Sequence, residues 1–598
     1  DWNVIKVIWG SGWDGLLARD HDGVLRQRMD ECLDGDYQMY SVLPGNVQRE
    51  HWVEGNPALE QMMNSLTDEE VRGIKRGGQD QKKLYSAFAK AHATQGRPTV
   101  VLVKTVKGDG MGAQGKNTAH QYKNMSPEER VKVARELNIP LSEDAAKQAQ
   151  FYRPQENSPE LTYLREQRTR LGGQIPNRQV ECASLAVPAI DQFAEFLGDF
   201  SGREMSTTML MVRLLSNLLR QPELGRYVVP IVPDEARTFG MDGLFKVAGI
   251  YSSEGQKYRP VDADSLLPYR EAADGQILQE GICEVGAMAS FMAAGSAYAV
   301  HGLPMIPFYI FYSMFGFQRV GDMIWSCGDM MCKGFLLGGT AGRTTLNGEG
   351  LQHQDGHSHI LASTVPNLRS YDPAFGFEVT ALVREGMYQM YERQEDVFYY
   401  LTLYNENYPM PSLAEVAEQT SASEAEVLQG VVDGGYCFYR SQADSEYSVH
   451  ILASGSIMQQ ALLAKDALEN LGIGVCLWSI TSFVELQRNA IECQQYNREH
   501  PKSPEKTANL QKMFADQSGV FIAVTDYMTA LAQGIAAWMP PGFEVLGTDG
   551  YGLSESRPRL REHFAVDAKA VAEASLSALY RQGLMTKKAF DAGSRQLS

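Results

Sequence analysis

Positive charge is the first thing this 598-residue chain lacks: 55 Lys and Arg stand against 73 Asp and Glu, a net charge of −18. A phosphate-backbone binder needs a basic face, so the balance argues against nucleic acid as a partner. A small anionic substrate in a local basic pocket stays compatible with it. Cysteine is sparse as well. The eight are scattered without a CxxC pair, and the closest two, Cys327 and Cys332, have four residues between them. That pattern argues against a disulfide-stapled secreted scaffold and for reduced thiols in a cytoplasm. No signal peptide, internal repeat or low-complexity tract is visible.

Residues 285–317 lack Asp, Glu, Lys and Arg altogether. A membrane span needs about 20 apolar residues, but Gly302, Pro304 and Pro307 interrupt this one and Ser, Tyr and Gln run through it. A buried helix over 282–300 followed by a buried strand over 305–312 fits better, so no membrane partner is expected.

What is present is alternation. After a strand-like run at 2–8, short apolar runs at 100–103, 227–232, 305–312, 450–453 and 520–524 are separated by helix-length segments. This implies an α/β fold with parallel sheets between helices. The length asks for three or four units. Polar, Pro- and Gly-containing stretches at 152–182 and 405–425 read as linkers, giving units 1–183, 184–414 and 415–598.

The densest chemical signal is 338–359, GGTAGRTTLNGEGLQHQDGHSH, with six glycines and three histidines. Such a composition is not expected to build core. Three readings remain open on the residues alone. His353, His357 and His359 could ligate a metal beside Asp355; the glycines could bring backbone to a ligand while imidazoles exchange protons; or the segment is a surface loop. The second signal is 275–290, GQILQEGICEVGAMAS, where Glu284 opens a helix that is otherwise small and apolar. A first-turn Glu favours the helix dipole. Equally, a carboxyl in dry surroundings needs a partner and could hydrogen-bond a ligand nitrogen.

These blocks occur in order with 234–245 (DEARTFGMDGLF), 305–322 (MIPFYIFYSMFGFQRVGD), 101–121 (VLVKTVKGDGMGAQGKNTAHQ) and 543–564 (FEVLGTDGYGLSESRPRLREHF). Together they resemble the homodimeric pyruvate dehydrogenase of bacterial 2-oxo acid dehydrogenase complexes, over essentially the whole chain. The resemblance implies thiamine-diphosphate-binding, transketolase-like parallel-sheet domains and a C-terminal α/β domain. Residues 1–183 would be the remainder of the pyrophosphate-binding domain with its lid loop, 184–414 the pyrimidine-binding domain, and 415–598 the C-terminal transketolase-like domain, with a role in dimer structure.

It further implies oxidative decarboxylation of pyruvate, with acetyl transfer to the lipoyl domain of a dihydrolipoamide acetyltransferase. Thiamine diphosphate and Mg2+ would be the cofactors. Glu284 matches the carboxyl that bonds the aminopyrimidine, and Phe315 the aromatic packed on it. Tyr312 and His353 match groups around the substrate-derived adduct. Lys107 would add a positive group near the substrate carboxylate, against the plainer reading of a solvated lysine. Glu235 matches an active-site acid at the end of the strand at 227–232. His120, at the end of the Gly-rich lid 108–120, would serve acetyl transfer. The loop is shorter than the family's, and Gln114 stands where an acidic residue is expected, which leaves the loop's ordering open.

The family's magnesium motif is a Gly-Asp-Gly followed by an Asn pair. Gly108-Asp109-Gly110 is not taken for it, because it lies in the lid block and only Asn138-Ile139 follows at the right distance. With Asp1 opening directly on a strand, the chain reads as a truncation whose metal ligands precede it, inactive by itself. Competing readings are a transketolase or deoxyxylulose-phosphate synthase, a 2-oxoglutarate dehydrogenase, a non-catalytic scaffold subunit, or a metal hydrolase on the three histidines.

Overall fold

A computed structural model describes residues 1–173, 182–198, 200–233, 236–264, 268–442 and 445–597. The chain divides into two compact units, Asp1–Gly173 and Gln174–Ser598. Among the described residues no helix is long and apolar enough to cross a membrane.

In the first unit β1 (Asn3–Val7) pairs in parallel with β2 (Thr99–Val103), Asn3 opposite Thr99. The helix Gln81–Ala93 is started by Asp80, whose carboxylate accepts from the Lys82 and Lys83 amides. That cap satisfies two of the donors a helix start leaves free. Trp13, Tyr40 and Trp52 are buried in a separate cluster, the last two stacked at 5.1 Å.

In the second unit a two-stranded pair, β4 (Ile250–Tyr251) with β5 (Glu271–Ala272), flanks a six-stranded sheet. The sheet holds β3 (Val228–Val232), β6 (Leu278–Gln279), β7 (Ile306–Tyr312), β8 (Phe335–Gly339), β9 (Leu368–Tyr371) and β10 (Phe398–Thr402), in the order β6-β3-β7-β8-β10-β9. Every pairing in it is parallel. Strands covered on both faces read as continuous apolar runs, as IPFYIFY does in β7. The charge-free stretch resolves into helices Glu284–Gly295 and Ala297–His301 followed by β7.

The strands of the last sheet are β11 (Tyr436–Arg440), β12 (Ser448–Ala453), β13 (Gly474–Ser479), β14 (Val520–Val524) and β15 (Glu544–Leu546), in the order β11-β13-β12-β14-β15. It is parallel through β12, β13, β14 and β15 and adds one antiparallel edge strand, β11 against β13. The stretch 405–425 is no open linker. It contains the helix Leu413–Thr420, with Tyr408, Met410 and Leu413 buried in the main core. The apolar residues between its prolines, which a linker reading discounts, are what pack.

A buried histidine makes this sheet acid-sensitive. His450 lies on β12, stacked on Phe521 at 4.5 Å. One ring nitrogen meets the Ser518 carbonyl at 3.0 Å and the other accepts from the Trp478 indole at 3.2 Å. Burial holds its pKa down at about 4, below the ordinary 6.5. The unfolded chain takes up the proton first, so stability is fully present above pH 6.5 and falls as pH drops towards 4. At 1.36 kcal/mol per unit the loss is about 3 kcal/mol. In His450→Phe the acid-induced destabilisation across that window should shrink by about this much. Chemical denaturation at pH 7 and pH 4.5 checks it; equal losses in the two proteins would contradict it.

Candidate active site

Glu284 begins its helix one residue after Cys283, whose sulfur accepts from the Gly286 amide. Tyr312 ends β7, and Phe315 lies in the first turn of the helix Ser313–Asp329. The C-terminal ends of parallel strands are where open α/β sheets present ligands. Gly316 lets this helix sit tightly against β7, since a Cβ there would meet the Phe311 ring at 2.1 Å. Phe315 is thereby fixed beside the strand end.

These elements and the glycine-rich segment bring four of the expected residues together. The Phe315 and His353 rings are 5.1 Å apart, Tyr312 and His353 5.3 Å, and Tyr312 and Phe315 5.8 Å. Phe239 backs Tyr312 at 5.4 Å. The Glu284 side chain is 12% exposed and is not alone: it is ion-paired with Arg319. The Arg319 guanidinium in turn lies 3.9 Å from the Phe315 ring centroid. Arg319 thus links the carboxyl to the aromatic cluster. It sits in the block 305–322, yet nothing in its spacing marks it as Glu284's partner, since 35 residues separate the two.

His353 Nδ1 is buried without a hydrogen-bond partner among the described residues, and the nearest carboxylate oxygen, on Glu349, is 3.8 Å away. An unpaired imidazole nitrogen in such a place is costly unless a ligand or water completes it. The other two histidines of the segment go elsewhere. His357 meets the Gln318 amide at 2.7 Å, and His359 is enclosed between Ser370 and Thr402 at 2.6 and 2.9 Å, with burial pushing its pKa down. Asp355 accepts from the His357 and Ser358 amides. The three imidazoles do not converge, which removes the metal-triad reading; among the described residues no group of three or more His, Cys, Asp or Glu could hold a metal ion.

The segment also corrects the view that it cannot be core. Residues 338–346 and 354–356 are buried, as are Ser358 and His359. The anchor is Asp526, fully buried two residues past β14. Its carboxylate accepts from the amides and hydroxyls of Thr344 and Thr345 at 2.6–3.1 Å. Gly342 permits the approach: its φ is +87°, and a Cβ there would lie 2.2 Å from Asp526 Oδ2. Short polar side chains and glycine build this core by saturating hydrogen bonds instead of by apolar bulk.

In the first unit Lys107 Nζ and His120 Nδ1 are 2.6 Å apart. An ammonium can only donate, so His120 accepts at Nδ1. Both line a cavity of about 480 Å³ together with Asp34, Tyr37 and Lys104. Lys107 stays exposed, as a solvated lysine would be, and its ammonium contacts His120. Glu235 lies outside the described residues.

Comparison with known proteins follows the same blocks. A family model for the pyruvate dehydrogenase E1 component middle domain matches residues 185–411, and one for the transketolase-like C-terminal domain matches 434–567. The pyruvate dehydrogenase E1 component of Pseudomonas aeruginosa is 47% identical over 586 residues, which is 98% of this chain and 65% of that protein. That of Escherichia coli K12 is 44% identical over 593 residues, again 98% and 65%. The chain therefore spans just under two thirds of the length of these curated relatives. Among solved structures, transketolase from Campylobacter jejuni superposes with a TM-score of 0.56 at 17% identity, covering 83% of this chain and 66% of that one. This last likeness speaks for the fold alone: transketolase-like, α/β.

Proposed function

Because this chain belongs to the pyruvate dehydrogenase E1 component family, we propose that it carries the pyrimidine side of a thiamine-diphosphate site for oxidative decarboxylation of pyruvate. The observation that carries the reading is the Glu284 carboxyl, 12% exposed, set with Arg319 beside Phe315, and the Tyr312 and His353 rings adjoining. A half-hidden carboxylate next to an aromatic face fits an aminopyrimidine, which needs one anionic acceptor and one flat apolar wall. When bound, the cofactor supplies the carbanion chemistry that the side chains lack.

The chain's own residues have narrower tasks. Glu284 accepts a hydrogen bond from the pyrimidine ring, and Arg319 keeps that carboxyl in place until the ring arrives. Phe315, with the Arg319 guanidinium 3.9 Å from its ring centroid, would supply the aromatic wall for the pyrimidine. Tyr312 and His353 hold the carboxylate or keto oxygen of pyruvate; His353 Nδ1, without a hydrogen-bond partner among the described residues, gives or takes a proton there. Lys107 and His120 belong to the lid that receives the lipoyl group of the acetyltransferase partner, and Glu235 adds a further acid. Mg2+ would accompany the pyrophosphate. Domains 1–183, 184–414 and 415–598, a homodimer and a cytoplasmic setting complete the proposal.

The test is release of carbon dioxide from carboxyl-labelled pyruvate by the enzyme carrying this sequence, with thiamine diphosphate, Mg2+ and a lipoyl domain. Cofactor-dependent release with acetylation of the lipoyl group is expected. Preference for 2-oxoglutarate or a ketose phosphate over pyruvate would overturn the reading.

A further inference from the structure

Arg76, in the first unit, is an anomaly of charge. It is only 8% exposed, yet among the described residues its guanidinium forms no ion pair and no hydrogen bond. Its contacts are aromatic: the Tyr37 ring lies 4.6 Å away and the Tyr40 ring 5.8 Å. Burial lowers its pKa, and the groups that oppose this are Tyr37, Cys32 and Tyr40, none of them a carboxylate. Stacking on two rings offsets only part of the cost of burying a cation without a counterion. The balance asks for an anion.

There is room for one. Arg76 lines a cavity of about 210 Å³ together with Arg72, Lys75, Gln79, Asp109 and Gln114. Three cations face one carboxylate there, and neither Arg72 nor Lys75 is ion-paired among the described residues. Gln79 is oriented by its amide nitrogen, which faces the Val106 carbonyl at 3.5 Å, and its Oε1 is buried without a partner. The backbone just after Arg76 is committed, Gly77 donating to the Ile8 carbonyl and Gly78 to the Lys104 carbonyl, which fixes where the side chain starts. Five planar donors held in place beside two further cations are suited to a tetrahedral oxyanion.

We propose that this cavity is a binding site for a small oxyanion of the phosphoryl class, with Arg76 as its buried anchor and Arg72 and Lys75 as its rim. Asp109 and Gln114 place the site at the foot of loop 108–120, but anion binding does not depend on that loop being a lid.

Calorimetric titration of the full chain with inorganic phosphate at low ionic strength tests it. One saturable site is expected. Arg76→Met should weaken it at least about tenfold, and the exposed pair Arg72→Gln/Lys75→Gln several-fold, with the melting temperature of that pair unchanged. The rim pair keeps the test valid should Arg76→Met not fold. Absence of saturable phosphate binding in the millimolar range, or binding that neither variant weakens, would overturn the site.

Discussion

Glu284→Gln should lower pyruvate turnover by about 10²–10⁴-fold while leaving the fold in place, the range associated with a positioned proton-transfer group. Gln keeps the shape of the side chain and removes its charge. An amide oxygen accepts a hydrogen bond without the charge assistance that makes carboxylate contacts roughly twice as strong. The same change strips Arg319 of its counterion and leaves the guanidinium on the Phe315 face. The defect should therefore fall on kcat more than on KM for pyruvate, because Tyr312 and His353, which face the substrate in this account, are untouched. Steady-state carbon dioxide release measures it; a loss confined to KM would place Glu284 among ordinary binding groups.

Asp526→Ala is the counterpart in stability. It deletes the acceptor for the amides and hydroxyls of Thr344 and Thr345 in a fully buried place. Burial raises the Asp526 pKa, and the hydroxyls of Thr345 and Thr344, the charge of Arg561 and the Thr344 amide act against that rise. Orphaning such donors costs about 1–3 kcal/mol each before relaxation and water entry, so a net loss of about 3–5 kcal/mol is expected. Asp526→Asn should recover part of it through its one remaining acceptor oxygen. Denaturant unfolding followed by the near-ultraviolet signal of the second unit checks the order wild type, Asn, Ala. Equal stability of Ala and wild type would show that segment 338–346 holds itself.

Much of this architecture was legible in the residues, for reasons that can be named. Strands covered by helices on both faces must be apolar throughout, so β3, β7, β12 and β14 announce themselves as VVPIV, IPFYIFY, SVHILA and VFIAV. Residues whose chemistry depends on local motif, such as Tyr312, Phe315 and His353, could be picked out because each lies in a long distinctive block. What stayed hidden depends on long-range pairing. The Arg319 partner of Glu284, the Asp526 anchor of the glycine-rich segment and the antiparallel edge strand β11 are each fixed by residues distant in the chain. Composition misled at 338–359, where glycine, threonine and serine suggest solvent, but Thr344 and Thr345 bond the buried Asp526 and Ser358 bonds the buried Asp355. At 405–425 the prolines suggested a linker although Tyr408, Met410 and Leu413 pack inward.

In the function proposed above, the hydrogen bond from the pyrimidine ring to the Glu284 carboxyl promotes ionisation of the bound cofactor. Deuterium exchange at the thiazolium carbon of thiamine diphosphate, in the enzyme carrying this sequence and in its Glu284→Gln form, addresses it without relying on turnover. The account predicts that exchange slows by about 10²-fold or more in the variant at saturating cofactor. Exchange at a near-normal rate would contradict it, whatever happened to pyruvate turnover.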